Sequence, residues 1–373
     1  MKISQIQLKK IQKQHGFTLV ELMVALALSL LVVAASVSAL LVSRQGFRSV
    51  DAASQLRDNA RFATDFITRL SVQSGFKDVA FVDTSGQAVF KAVGVASDPD
   101  SPVFGFNNAL VTNVADPVGT ILSPTTLNES RDAGCPAAQG TACANGSDIL
   151  VLRYQNGSRN TDSPLGSPVA EVDNAMFNCA GIRETSTPTS SNDYIESMLY
   201  VASNLTTTAE PTLMCRYRTG SGLNWAPAAT PLVQGVESFQ ILYGTDGVVA
   251  NTVPVPKAPL GTAPTTLQPD SIPEKYLRAD QLLVAGNDAA TKENWRRVRS
   301  LRIGLIIRGP VGSAQDTGPT LALTPLGPAF AVPGDKQSSF VQTPLSGAAA
   351  NTGDGRLRQV VTFTVYLHNY QGI

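Results

Sequence analysis

Two histidines, His15 and His368, are all the imidazole that this 373-residue chain offers for acid–base or nucleophilic chemistry. His15 lies in a lysine-bearing N-terminal stretch and His368 at the end of the last strand-like segment, so a histidine-based triad is close to excluded. Gly220-Ser221-Gly222 lacks the G-x-S-x-G spacing of a nucleophile elbow, and neither a P-loop nor a G-x-G-x-x-G run occurs. Asp98-Pro99-Asp100-Ser101 carries two carboxylates in a calcium-loop spacing, but the further ligands and the glycine of such a loop are missing. Cys135, Cys143, Cys179 and Cys215 fit no zinc spacing. An even number of cysteines, in a chain that reads as exported, makes them disulfide candidates. Three pairings are open, and proximity alone favours Cys135 with Cys143 and Cys179 with Cys215. Lys292, Trp295, Arg296, Arg297, Arg299 and Arg302 form a basic cluster. With 29 basic and 29 acidic residues in the whole chain, it reads as a solvated strand face paired with acids rather than as a nucleic-acid surface. No catalytic residue, cofactor or metal site is expected, and the chain is not expected to be an enzyme.

One acid stands where a different kind of chemistry is needed. Glu21 lies inside HGFTLVELMVALALSLLVVAASVSALLV, residues 15–42. From Leu22 to Val42 no residue is charged, and a helix of that length covers roughly 30 Å, the thickness of a hydrocarbon core. A carboxylate near the bilayer centre costs about 2.5–3.5 kcal/mol. The cost falls in the first turn of a helix, where free N–H groups carry partial positive charge. Lys2, Lys9, Lys10 and Lys13 precede the run without any acid, which predicts a cytoplasmic N-terminus and an exported remainder. A cleaved secretory signal fits less well. The run exceeds the usual apolar length, and no A-x-A-like site closes it before Arg44.

The elements that hold these residues follow from periodicity. No proline precedes Pro99, and Phe47, Val50, Ala53, Leu56, Ala60, Ala63, Ile67 and Leu70 recur in steps of three and four. The spacing predicts one helix over residues 17–75, spanning the membrane at about 17–42 and stopped by Ser74-Gly75. Residues 76–373 change to alternation. Strands are expected at 148–154, 196–201, 213–217, 235–243, 298–308 and 356–369, the last two as antiparallel neighbours. Residues 254–274 and 309–355 read as irregular excursions, the second as a mobile or decorated loop. The fold class is therefore α+β: a long N-terminal helix on a mainly antiparallel β-sheet head.

Gly16-Phe17-Thr18-Leu19-Val20-Glu21, after a short basic leader and before an apolar helix, resembles the type IV prepilin signature. The segments Gly235-Val236-Glu237 with Tyr243-Gly244, Trp295 to Ile303, and Arg356 to Val365 are similar to the PilW family of minor type IV pilins. The resemblance implies that a prepilin peptidase removes residues 1–16 by cutting between Gly16 and Phe17 and methylates the new Phe17 amine. It implies that Glu21 registers the subunit against a neighbour's terminal amine in a filament. The implied partners are other minor pilins, the major pilin, a tip adhesin, the inner-membrane assembly platform and the lipid bilayer. The implied route runs from the inner membrane, with the head periplasmic, to the pilus, at its tip. Two other readings stay open on sequence: a J-type minor pseudopilin of type II secretion, and a signal-anchored periplasmic enzyme or ligand-binding domain.

Overall fold

The computed structural model describes residues 16–78, 101–108, 146–161, 169–173, 175–183, 185, 187, 194–202, 210–218, 226, 228–256, 270–314, 322–331, 338–341 and 354–369. The leader with His15, the pair Cys135 and Cys143, the segment Asp98 to Asp100 and Gly220 to Gly222 fall outside these residues.

Helix α1 runs Leu19–Gln73, two residues inside each expected end. Gly75 ends it in the left-handed region, at φ 81°, where a side chain would be strained. Two compact units divide between Asp51 and Ala52. In the first, every residue from Gly16 to Gln45 is exposed, although the stretch is almost wholly apolar. Ser29, Ser36 and Ser38 donate their hydroxyls back to the carbonyls of Leu26, Val32 and Ala34, so these three polar groups need no water. In the second unit the helix buries Ala52, Leu56, Ala60, Ala63, Ile67 and Leu70. The expected stripe was too long: Phe47 and Val50 are 73% and 70% exposed, and Ala52 replaces Ala53 as the innermost residue of its turn. Periodicity identifies a helix face, but only the covering sheet decides where along that face burial begins.

Strands β1 (Val103–Phe106), β2 (Ile149–Tyr154), β5 (Ile195–Ala202), β6 (Thr212–Arg218) and β7 (Thr230–Gln234) form one sheet in the order β1-β2-β5-β6-β7. A second sheet has the order β13-β10-β8-β9, from β8 (Val236–Thr245), β9 (Lys275–Leu277), β10 (Val298–Arg308) and β13 (Arg358–Tyr366). The hairpin β3 (Gly157–Thr161) with β4 (Val169–Asp173), and the pair β11 (Ala322–Leu323) with β12 (Phe340–Val341), stand apart from both. Every pairing is antiparallel.

Alternation explains the central register. Leu301, Ile303, Leu305 and Ile307 of β10 face the core, and Val365, Phe363 and Val361 of β13 stand opposite the first three. The buried helix stripe and the inner faces of both sheets share one apolar core. Sequence reading missed β1, the β3–β4 hairpin, β7, β9, the β11–β12 pair and the short helix α2 (Asp288–Arg296), whose runs are too short for periodicity to register.

A seam of polar contacts joins the sheets just before β2. Asp148 donates its backbone N–H to the Phe239 carbonyl at 2.7 Å. Its carboxyl oxygens accept from the N–H groups of Asn108 and Ile241, at 2.9 and 2.7 Å. On the outer face of the second sheet, residues 324–330 lie across β10 as a strap. Gly304 makes this possible, because a Cβ there would sit 2.4 Å from the Pro325 carbonyl oxygen. Arg302 Nε and Thr362 Oγ1 donate to the Leu326 and Pro325 carbonyls, at 3.1 and 2.6 Å. This part of the 309–355 segment is thus anchored to the sheet, not a free loop.

Candidate functional site

The N-terminal motif has a defined local geometry. Phe17 is 85% exposed, and nothing lies within 4 Å of the place a Gly16 side chain would take, so no described residue covers the Gly16–Phe17 bond. Thr18 and Glu21 form a reciprocal helix cap. Glu21 Oε2 accepts from the Thr18 N–H and Oγ1–H, at 2.9 and 3.0 Å, and the Glu21 N–H donates back to Thr18 Oγ1 at 3.3 Å. The T-x-x-E spacing before an apolar run is the sequence signal for such a cap, and the sequence reading had not used it. Both bonds to the carboxylate fall on Oε2, leaving Oε1 without a partner among the described residues.

In the head, three segments far apart in sequence become neighbours. Gly235 to Gly244, Trp295 to Ile303 and Arg356 to Val365 fall on β8, on α2 with β10, and on β13, adjacent in one sheet. Glu237, buried, accepts from Arg308 Nη1 at 3.0 Å and from Arg358 Nε and Nη2 at 2.6 and 3.0 Å. Arg358 also reaches Asp354, and Arg308 and Arg356 both reach Glu210. Three arginines and three carboxylates thereby close a network across β8, β10 and β13. Gly235 presses directly on this site: a Cβ there would lie 2.5 Å from the Arg308 carbonyl oxygen. Burial works against ionisation of Glu210 and Asp354. Hydrogen bonds from Arg356 and Arg308 to the first, and from Arg358 to the second, outweigh it and hold both carboxyls below their ordinary values.

The basic cluster is not a surface. Arg296, Arg297 and Arg299 are 7%, 4% and 3% exposed. Arg297 donates to the Gly247 and Val255 carbonyls and lies 3.4 Å from Glu293, while Arg299 lies 3.5 Å from Asp246. Acids do pair with it, but inside the head rather than in solvent, because α2 ends at Arg296 and turns the following residues inward. Trp295 packs edge-on against Tyr243, their ring centroids 4.8 Å apart. Asp246, Asp270 and Glu274 bring carboxylate oxygens within 4.8 Å of one another. Asp246 accepts the N–H groups of Asp270 and Ser271, and Glu274 accepts that of Gly247. They clasp two turns together.

Cys179 and Cys215 are joined in a disulfide and fully buried, tying the loop before β5 to the middle of β6. His368 is exposed just after β13.

A family model described as the type IV pilus-assembly protein W matches residues 198–369, the region of the network. A model of the prokaryotic N-terminal methylation motif matches residues 11–37. No curated protein is matched. A solved type IV-like pilin from Thermus thermophilus is similar over 61% of this chain and 80% of its own, at 15% identity and a TM-score of 0.25. None of these matches favours a pseudopilin or an anchored enzyme. With a prepilin motif opening an exposed apolar helix and a PilW domain covering β10 and β13, the chain is a PilW-like minor type IV pilin.

Proposed function

We propose that this pilin is a non-catalytic structural subunit that helps to start pilus assembly within a set of other minor pilins at the filament tip. A prepilin peptidase cuts between Gly16 and Phe17 and methylates the freed amine. The leader stays cytoplasmic, the apolar segment crosses the inner membrane at about residues 17–42, and the head, from about residue 76 onward, is periplasmic. The partners follow from that route: the assembly platform, the other minor pilins, the major pilin and a tip adhesin.

The observation that carries the reading is Glu21. Its carboxylate stands at the mouth of a helix whose apolar residues are all exposed through Val42, with one oxygen held by Thr18 and the other open. Cleavage creates a cationic amine of a kind the uncut chain lacks at this depth. A neighbour's amine offered to Glu21 Oε1 would neutralise the charge as the helices leave lipid for a bundle. The cap and the ion pair can be separated. Glu21→Gln keeps an acceptor for Thr18 but no charge, and Glu21→Ala keeps neither. Both variants are expected to be processed, with mass spectrometry showing Phe17 as the N-terminus, and both to be poorly recovered in sheared pili. Normal recovery of Glu21→Gln would leave only a capping role. A native protein beginning at Met1 would defeat the filament reading altogether.

A further inference from the structure

A cavity of about 250 Å³ lies beneath one end of the 324–330 strap. Asn107 and Asp148 close it from the first sheet, and Gln240 from the outer face of β8. Gln281 lines the side, and Leu326, Ala329 and Phe330 of the strap form an apolar wall.

The polar groups are arranged unlike those of a packed core. Asn107 is only 9% exposed, and its carboxamide makes no hydrogen bond to any described residue, so its donors and acceptor are left to whatever occupies the cavity. Gln240 Nε2 donates to the Gly146 carbonyl at 3.0 Å and to Ser238 Oγ at 3.4 Å, and its side-chain oxygen has no partner among the described residues. Gln281 Oε1 accepts the Arg278 N–H at 3.0 Å, and its amide nitrogen has no partner among the described residues. The cavity thus presents unused donors and acceptors on one side and apolar carbon on the other.

The walls carry no net charge. Arg278 is neutralised by Asp280 through two bonds of 3.0 and 2.8 Å. Burial pushes the Asp148 carboxyl up to about 8, against the pull of the Asn108 and Ile241 N–H groups, which favours its neutral form at pH 7. An ion entering here would lose hydration without gaining a counter-ion, and a hydrocarbon would leave Asn107 unsatisfied. Hydroxyls both donate and accept, as the carboxamides require. The volume falls just below the roughly 300–1,000 Å³ of drug-sized pockets, which suits one six-membered ring.

We infer that this cavity binds a single neutral hexose unit, its hydroxyls on Asn107, Gln240 and Gln281 and its C–H face against Leu326 and Phe330. The inference does not depend on the chain's place in a pilus.

Saturation-transfer NMR on the full chain in amine-oxide micelles tests it, since that detergent carries no sugar. The probes are glucose, galactose, mannose and N-acetylglucosamine. At least one of them should show transfer with a Kd on the order of 1 mM, the ceiling for so small a ligand with few contacts. Asn107→Leu removes the buried amide, and Ala329→Trp fills the cavity from its exposed rim. Each should weaken binding about tenfold or more, while near-ultraviolet circular dichroism stays that of the wild type. No transfer from any of the four sugars to the folded wild type overturns the assignment. Undiminished binding in both variants does so too, as does transfer from a capped tripeptide with none from the sugars.

Discussion

Replacing Glu237 by alanine removes the carboxylate on which Arg308 and Arg358 converge. Both arginines are largely buried, with side chains 19% and 7% exposed. Taking one partner from a buried ion pair costs about 3–5 kcal/mol, because the remaining charge has lost its water and gains nothing in return. Here each guanidinium keeps a second carboxylate, Arg308 through Glu210 at 2.9 Å and Arg358 through Asp354 at 2.6 Å. The loss should therefore sit at the lower end, about 3 kcal/mol, which at an m-value of about 3 kcal/mol/M moves the urea midpoint down by about 1 M. Detergent-solubilised full-length protein, followed by near-ultraviolet circular dichroism, gives the measurement. The companion Glu237→Leu with Arg358→Met and Asp354→Asn removes the pair together with the carboxylate that Arg358 would otherwise leave stranded, and should recover most of the loss, because an apolar pair of similar volume is often neutral. A single variant that loses less than about 1 kcal/mol would refute the reasoning. A triple variant no better than the single would refute it too, by showing that shape rather than uncompensated charge sets the cost.

The other expectations rest on separate features. Gly304→Ala drives a Cβ against the Pro325 carbonyl, so the strap must lift; a loss of about 1–3 kcal/mol and new proteolysis within residues 322–331 should follow, and an unchanged digestion pattern would contradict the close approach. Glu210 and Asp354 titrate below their ordinary values, so their stabilisation is complete above the unfolded values of about 4.3 and 3.9 and is lost as pH falls through the lower native ones. The urea midpoint of the wild type should accordingly drop below about pH 4, while Glu210→Gln with Asp354→Asn starts lower and falls less. Replacing Cys179 and Cys215 together by alanine opens a loop of sequence separation 36 and should cost about 3–4 kcal/mol in the same assay. An unchanged midpoint would show that the bridge adds little to the β5–β6 packing.

What could be read from the sequence is local. The apolar run, the basic leader and Glu21 needed only charge and length, and β10 and β13 were legible because their alternation is long enough to fix a face. Even the missed Thr18–Glu21 cap was written in a spacing of three residues. Segments quoted for their family resemblance, such as Gly235 to Glu237 and Arg356 to Arg358, gave no hint of why those residue types stand there.

Their reason is tertiary. Glu237 meets Arg308 and Arg358 across 71 and 121 residues, and Glu210 meets Arg356 across 146. The order β13-β10-β8-β9 brings them together, and no local period encodes that order. The basic run at 292–302 was misplaced in solvent for the same reason: Glu293 lies within it, but the run's burial and the approach of Arg299 to Asp246 come only once α2 has turned into β10. The Asn107 cavity likewise arises where the first sheet, β8 and the strap meet. Backbone preference and hydrophobic period act within a few residues and so are written in the chain, whereas burial of a charge or an amide depends on every surface that closes over it.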